Sequence, residues 1–186
     1  PLGVPCHVFP HQDGHIAAAL STAGKLSLLE KEFLAFHVSG GTTEAVLVHP
    51  EENRRFSVRL VASSLDLKAG QAIDRVGGLL GLPFPAGPAL ERLALTSGAS
   101  FRIHPSMKGA DCSLSGIQNQ CEAMVKKGTG KEDVALYCLL SVWAALDAMT
   151  AALLEQYGDL PVLFAGGVMS NSILKHRLSE RYGAFF

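Results

Sequence analysis

Residues 33–48, FLAFHVSGGTTEAVLV, set an apolar run, a Ser-Gly-Gly turn and a second apolar run in direct succession. Val, Phe, Leu and Thr suit a pleated, half-buried surface, so the two flanks are predicted to be antiparallel strands of one hairpin. Gly40 and Gly41 reach backbone angles closed to other residues and, lacking side chains, let a ligand approach the main chain. Such a tip is either a plain tight turn or a place where consecutive N–H groups meet a phosphate, with the hydroxyls of Ser39, Thr42 and Thr43 beside them. Both possibilities fit these residues taken alone.

A chain of 186 residues, 48% hydrophobic and 18% charged, can bury a substantial core as one domain or two lobes. Its formal net charge of -1 supplies no overall field for nucleic acid. Such binding would rest on local patches, for which Arg54-Arg55, Lys126-Lys127 and Lys175-His176-Arg177 are candidates. Cys6, Cys112, Cys121 and Cys138 show no C-x-x-C spacing, which predicts reduced thiols in a cytoplasmic protein. No basic start followed by an apolar core precedes a cleavage site, so no signal peptide is expected. The chain does not open on Met and stops on Ala184-Phe185-Phe186, which looks like the start of a strand. A fragment of a longer protein is the expectation.

Along the chain, Val4 to Phe9 is a strand candidate, and Pro10 suits the entry to a helix from His11 to about Ser21. His11 and His15 are four apart, which on a helix puts both imidazoles on one face with the spacing of two ligands to one metal ion. Two surface histidines would show the same spacing. Phe56 to Ala62 is a third strand, and Lys68 to Leu80 has helical periodicity through Ala72, Ile73, Val76 and Leu80. Asp74 on that helix is either an exposed acid or an acceptor for ribose hydroxyls. Gly81 ends the helix, the proline-rich 83–88 turn follows, and Pro88 opens another helix toward Gly98.

Residues 100–112 suggest a strand followed by a loop, and Ser115-Gly116 leads a helix that stops at Lys126-Lys127-Gly128. Ala135 to Leu154 is apolar for 20 residues, long enough for a membrane span. Asp147 within it would cost about 3 kcal/mol on insertion scales, so a buried core helix is expected and no membrane. Leu160 to Ala165 is a buried strand, followed by Gly166-Gly167 and a helix from Asn171 to about Tyr182. A strand, paired glycines and a helix start suit nucleotide contact. The G-x-G-x-x-G pattern of dinucleotide binding is missing, which leaves hydride transfer without support.

Four segments in this order are His11-x-x-x-His15, Val38-Ser39-Gly40-Gly41-Thr42, Gly70-x-x-x-Asp74 with Pro85-Ala86-Gly87-Pro88, and Ala165-Gly166-Gly167-Val168-x-x-Asn171. Together they resemble the tRNA threonylcarbamoyladenosine transferase family, formerly described as O-sialoglycoprotein endopeptidases or glycoproteases, over essentially the whole chain. The resemblance implies an actin-like, sugar-kinase-like (ASKHA) α/β fold, incomplete at both ends. Residues 1–66 would be the remainder of a first lobe, and residues 67–186 a second, mainly helical lobe. It further implies that His11 and His15 ligate a divalent metal, iron or zinc. His37, Val38, Ser39, Gly40 and Gly41 would cradle the phosphate side of an ATP-derived acyl-adenylate. Asp74 would take its ribose hydroxyls, Gly87 and Glu91 would line the same pocket, and Asn171 would contact the nucleoside. The implied reaction passes a threonylcarbamoyl group to an adenosine next to the tRNA anticodon, in company with further subunits. No catalytic side chain is singled out.

The chain departs from that family pattern at Thr42, where a His is usual, at Leu67, where an acid is usual, and at Ala86, where a glycine is usual. His37 falls where some members place a metal-ligating side chain. By the same resemblance, a first strand and turn would precede Pro1, and a last metal ligand, an Asp, would follow Phe186. Two alternatives accompany this expectation. One is a metalloendopeptidase, against which Gln12 stands where H-E-x-x-H proteases have a proton-accepting Glu. The other is a non-catalytic relative that keeps the fold for partner binding.

Overall fold

The computed structural model describes residues 11–52 and 56–186, without the side chains of residues 11–13 and 15. The expected strand Val4–Phe9, together with Cys6, Pro10 and the Arg54-Arg55 pair, lies outside the described residues. Helix α1 (His11–Thr22) and a 3-10 turn (Leu26–Glu30) precede a hairpin of β1 (Phe33–Val38) and β2 (Thr43–Pro50). Strand β3 (Phe56–Ser63), α2 (Ala69–Leu79) and α3 (Gly87–Ala94) follow. A short hairpin of β4 (Ser106–Lys108) and β5 (Asp111–Ser113) leads to α4 (Ser115–Lys126) and α5 (Lys131–Tyr157). Strand β6 (Val162–Ala165), a 3-10 turn (Gly167–Ser170) and α6 (Ser172–Tyr182) complete the described chain.

The main sheet has the order β3-β2-β1-β6. Strands β1, β2 and β3 are antiparallel neighbours, and β1 pairs with β6 in parallel. The helices α2 to α5 lie between β1 and β6 in sequence, so the parallel pairing is reached through a long helical crossover, as parallel strands require. Alternation along each strand then divides the residues between two faces. Leu34, Phe36 and Val38 of β1 join Val162 and Phe164 of β6 in the large core under the helices. Phe33, Ala35, Val46, Val48 and Leu163 face the other way, onto Ile16 and Leu20 of α1. Phe36 stacks on Phe164 with ring centroids 4.6 Å apart. Burying such rings contributes about 2–3 kcal/mol each.

The apolar run in α5 is a core element: this 27-residue helix packs on α2, α3, α4 and α6. Asp147, the one charge in its middle, accepts from the Tyr182 hydroxyl at 2.8 Å and pairs with Arg181 Nε at 2.9 Å. Burial and the bond to Asp147 push the Tyr182 phenol up to about 12. Cys112, Cys121 and Cys138 are free and buried, as expected of reduced thiols. Phe185 makes a parallel bridge to Leu163, and Phe164 N–H donates to its carbonyl at 2.8 Å, so the terminal Ala-Phe-Phe does begin a further strand position.

Two expectations need correction. Residues 100–105 have no regular structure, and the expected loop after them is a hairpin, β4 against β5, turned by Gly109 at φ +62. The helix begun at Pro88 stops at Ala94 rather than near Gly98, because Thr96 turns its hydroxyl back onto the Leu93 carbonyl at 2.7 Å.

The link between β3 and α2 is tied down by Asp66. Its Oδ1 accepts from Leu67 N–H at 2.5 Å and Leu114 N–H at 2.7 Å, and its Oδ2 accepts from the Ser115 hydroxyl at 2.6 Å. The carboxylate therefore serves as a remote cap for α4, whose own N-cap is Leu114. Burial raises its pKa, but the hydrogen bonds from Ser115, Leu114 and Leu67 outweigh burial and hold it below the ordinary value. A depressed folded-state pKa means the unfolded chain binds the proton more readily, so this stabilisation is full above the ordinary carboxylate range and lost as pH falls through it. Replacing Asp66 by Asn should cost about 1 kcal/mol at pH 7, in the range of a lost cap. In urea unfolding the gap to the parent protein should narrow below about pH 4; an equal gap at pH 7 and pH 3 would refute the linkage.

Candidate functional site

The tip of the β1–β2 hairpin, residues 39–42, closes through Ser39 N–H donating to the Thr42 carbonyl at 2.7 Å. Gly41 N–H and Thr42 N–H both donate to the Ser39 hydroxyl oxygen, at 3.2 Å and 3.0 Å. Two successive amides thus converge on one oxygen, which is the geometry of a small anion nest with a serine hydroxyl in the anion's place. The turn and the phosphate cradle are the same object: an incoming phosphate would compete with Ser39 Oγ for these amides.

Helix α2 abuts this tip. Gly70 N–H donates to the Ser39 carbonyl at 3.1 Å and Ala69 N–H to Thr43 Oγ1 at 2.8 Å, so the hairpin satisfies orphan donors of the helix start. Thr43, only 1% exposed, passes its own hydroxyl proton to the Thr42 carbonyl at 2.9 Å. A Cβ on Gly70 would lie 2.7 Å from Gly40 N and Cα, closer than real side chains come. On the other flank Gly166, at φ +105, follows β6 directly, and a Cβ there would lie 2.3 Å from the Val38 carbonyl oxygen and 3.1 Å from His37 Cδ2. Glycines therefore let the helix start and the end of β6 close on the hairpin from both sides.

The remaining expected residues are joined by hydrogen bonds rather than left on the surface. Asp74 is half-buried on α2, and its Oδ1 accepts from Ala86 N–H at 2.8 Å, holding the proline-rich turn before α3. Glu91 on α3 accepts through Oε1 from Ser172 N–H at 2.8 Å and from the Ser172 hydroxyl, which caps α6. Asn171 is buried at the N-cap of α6, where its Oδ1 accepts from Leu174 N–H at 3.1 Å. Gly87 opens α3, and a Cβ there would meet no atom within 4 Å. Each carboxylate keeps acceptor capacity beyond these bonds, since two oxygens provide about four lone-pair sites. The sequence does not reveal these structural bonds; each of the carboxylate bonds runs between different elements of the fold. Leu67, where an acid was expected, is 7% exposed in the core, and the carboxylate of this link belongs to Asp66.

His11 and His15 are in α1, and their side chains lie outside the described residues. Among the described residues no group of three or more His, Cys, Asp and Glu gathers as a metal site. The face of the sheet that α1 covers does carry donors. His37 and Glu44 are direct cross-strand partners on β1 and β2, and both line a recess with Ala165 and with Ile16, the residue after His15. A nitrogen and an oxygen donor beside a helix bearing two further imidazoles suit zinc or iron in the chemistry of their donor set. Glu44 was missed in the sequence, although pairing outward from the Val38–Thr43 closure places it opposite His37.

With this geometry in view, the chain was compared with known proteins. Residues 1–186 match the family model described as TsaD, tRNA N6-adenosine threonylcarbamoyltransferase. A protein of that name from Thermus thermophilus is 34% identical over 182 residues, 96% of this chain and 54% of that protein. Its counterpart in Bordetella avium is 33% identical, over 96% of this chain and 53% of that protein. A probable bifunctional tRNA threonylcarbamoyladenosine biosynthesis protein of Thermoplasma volcanium is 32% identical, over 91% of this chain and 30% of its own length. The chain thus spans about half, or less, of the curated relatives it matches. Among solved structures, full-length HypF in its phosphate- and nucleotide-bound form superposes with a TM-score of 0.75 at 15% identity, covering 98% of this chain and 39% of that one. Component A of (R)-2-hydroxyglutaryl-CoA dehydratase from Acidaminococcus fermentans gives 0.53 at 18% identity, over 89% and 59%. These likenesses establish the fold, a partial α/β structure of the actin-like, sugar-kinase-like class.

The closure around the tip makes a direct prediction. Replacing Gly166 by Ala, which brings a Cβ against the Val38 carbonyl in a left-handed backbone, should destabilise the protein by at least about 2 kcal/mol. The same change at Gly167, where no neighbour lies within 4 Å, should cost well under half as much. Equal urea midpoints for the two variants would show that the approach to β1 is looser than described.

Proposed function

We propose that this chain, which belongs to the tRNA N6-adenosine threonylcarbamoyltransferase family, is part of an enzyme that transfers a threonylcarbamoyl group from an acyl-adenylate to an adenosine of tRNA. The observation that carries this proposal is the convergence of the Gly41 and Thr42 amides on a single oxygen at a tip locked against α2, whose Asp74 in turn holds the start of α3. The adenylate phosphate takes the position of Ser39 Oγ at those amides, with His37 and Val38 leading into the turn and Gly40 leaving its backbone accessible. Asp74 and Glu91 accept from ribose hydroxyls through their remaining lone pairs. Gly87 presents bare backbone beside them, and the Asn171 side-chain NH2 donates to the nucleoside.

In the transfer the exocyclic adenine amine attacks the carbamoyl carbon. A C–N bond forms, the C–O bond to the adenylate phosphate breaks, AMP departs and the amine gives up a proton. The chain's contribution is position and charge: amides held at the tip steady the negative charge that gathers on the leaving phosphate. His11 and His15, with His37 near their helix, would hold a divalent iron or zinc, which when bound supplies Lewis-acid polarisation. The tRNA and companion subunits complete the assembly, and the lobes at 1–66 and 67–186 are the parts between which the nucleotide would sit.

Isothermal titration with ATP or a stable acyl-adenylate analogue tests the assignment. Asp74→Asn and Glu91→Gln keep an oxygen for Ala86 and Ser172, so each should fold as the parent does while weakening nucleotide at least tenfold. Asp66→Asn should leave nucleotide affinity unchanged. Parental affinity in both carboxylate variants would remove these residues from the site. Absence of nucleotide binding by the parent would favour the non-catalytic, partner-binding alternative.

A further inference from the structure

We infer that Glu44 supplies a carboxylate oxygen directly to a divalent cation in the recess between α1 and the sheet. This inference rests on the metal assignment of His11 and His15 made above and extends it to a residue outside the expected ligand set. Glu44 stands directly opposite His37 in the β1–β2 register. Strand alternation sends both to the α1 side, because Ala35 and Val46, two residues along on each strand, belong to the cluster under Ile16 and Leu20. Side chains opposite each other on antiparallel strands have Cβ atoms about 5 Å apart, a separation that two ligands of one ion can bridge.

The recess, ≈ 360 Å³ counting its open mouth, is otherwise walled by apolar side chains, among them Ala35, Val46 and Leu163. Walls of this kind strengthen the attraction between a half-buried carboxylate and a cation beside it. Ile16 reaches the same recess, so the first turns of α1, where His11 and His15 lie, run beside its mouth. Imidazoles from α1, His37 and one carboxylate make a mixed nitrogen and oxygen set, which zinc and ferrous iron accept. The carboxylate expected after Phe186 would then have an acidic companion on β2, and the ion would be held from both the helix and the sheet.

Titration of the 186-residue chain with Co2+, followed by visible absorption, tests this. The parent should bind one ion with a d–d band of nitrogen and oxygen ligation. Glu44→Gln, isosteric and confirmed folded by circular dichroism, should weaken Co2+ at least tenfold and change the band. Loss of Co2+ in His15→Ala with parental affinity in Glu44→Gln would overturn the role of Glu44 and leave the histidine assignment standing. A weakened affinity with an unaltered band would place Glu44 outside the coordination sphere and likewise overturn the inference. A parent that binds no Co2+ would overturn both assignments.

Discussion

The approach of Gly70 to Gly40 leaves no space for a side chain at the helix position, and the organisation around the hairpin depends on it. With α2 seated there, Ser39 carbonyl and Thr43 hydroxyl satisfy the first helix amides, and the helix start acquires a fixed direction. A fixed α2 in turn places Asp74 against Ala86, and Ala86 determines where α3 begins. Glu91 then reaches Ser172 and determines where α6 begins. One backbone contact thus propagates through three helix starts by single hydrogen bonds, each worth about 1 kcal/mol net but costly to leave unmade where the groups are buried.

This chain of bonds gives the acidic residues two duties. Asp74 and Glu91 are carboxylates suited to hydroxyl recognition, and they are also the fasteners of the turn and helix that surround the tip. A side chain already oriented by a protein donor loses little further freedom when a ligand arrives, so structural use and ligand use support each other. Asp66 differs. Its oxygens are taken up by the amides and hydroxyl at the start of α4, and its contribution is to stability.

The opposite face of the sheet follows different rules. Helix α1 covers only part of it, with Ile16 and Leu20 on a small apolar cluster, while the other face carries the large core under the remaining helices. Strand alternation puts His37 and Glu44 on the sparsely covered side, at the end of the sheet nearest the tip. Chemistry can therefore gather at that edge without interrupting the main core.

Much of this was legible in the residues themselves. Apolar runs bounded by turn residues marked β1, β2, β3 and β6, helical periodicity marked α2 and α5, and the Ser-Gly-Gly turn marked the hairpin, because these signals depend on neighbours within a few positions. Asp147 correctly argued that the long apolar helix belongs to a core, although its partners Arg181 and Tyr182 could not be named beforehand. The β4–β5 hairpin escaped notice because three-residue strands carry too little pattern, and the early end of α3 is set by one threonine hydroxyl. The sequence by itself determined the elements, the family and the residues eligible for the site. Only the tertiary structure decided that Gly166 must meet Val38, that Asp74 and Glu91 hold Ala86 and Ser172, and that Glu44 stands beside His37, since contacts between separate elements follow from packing and register rather than from local pattern.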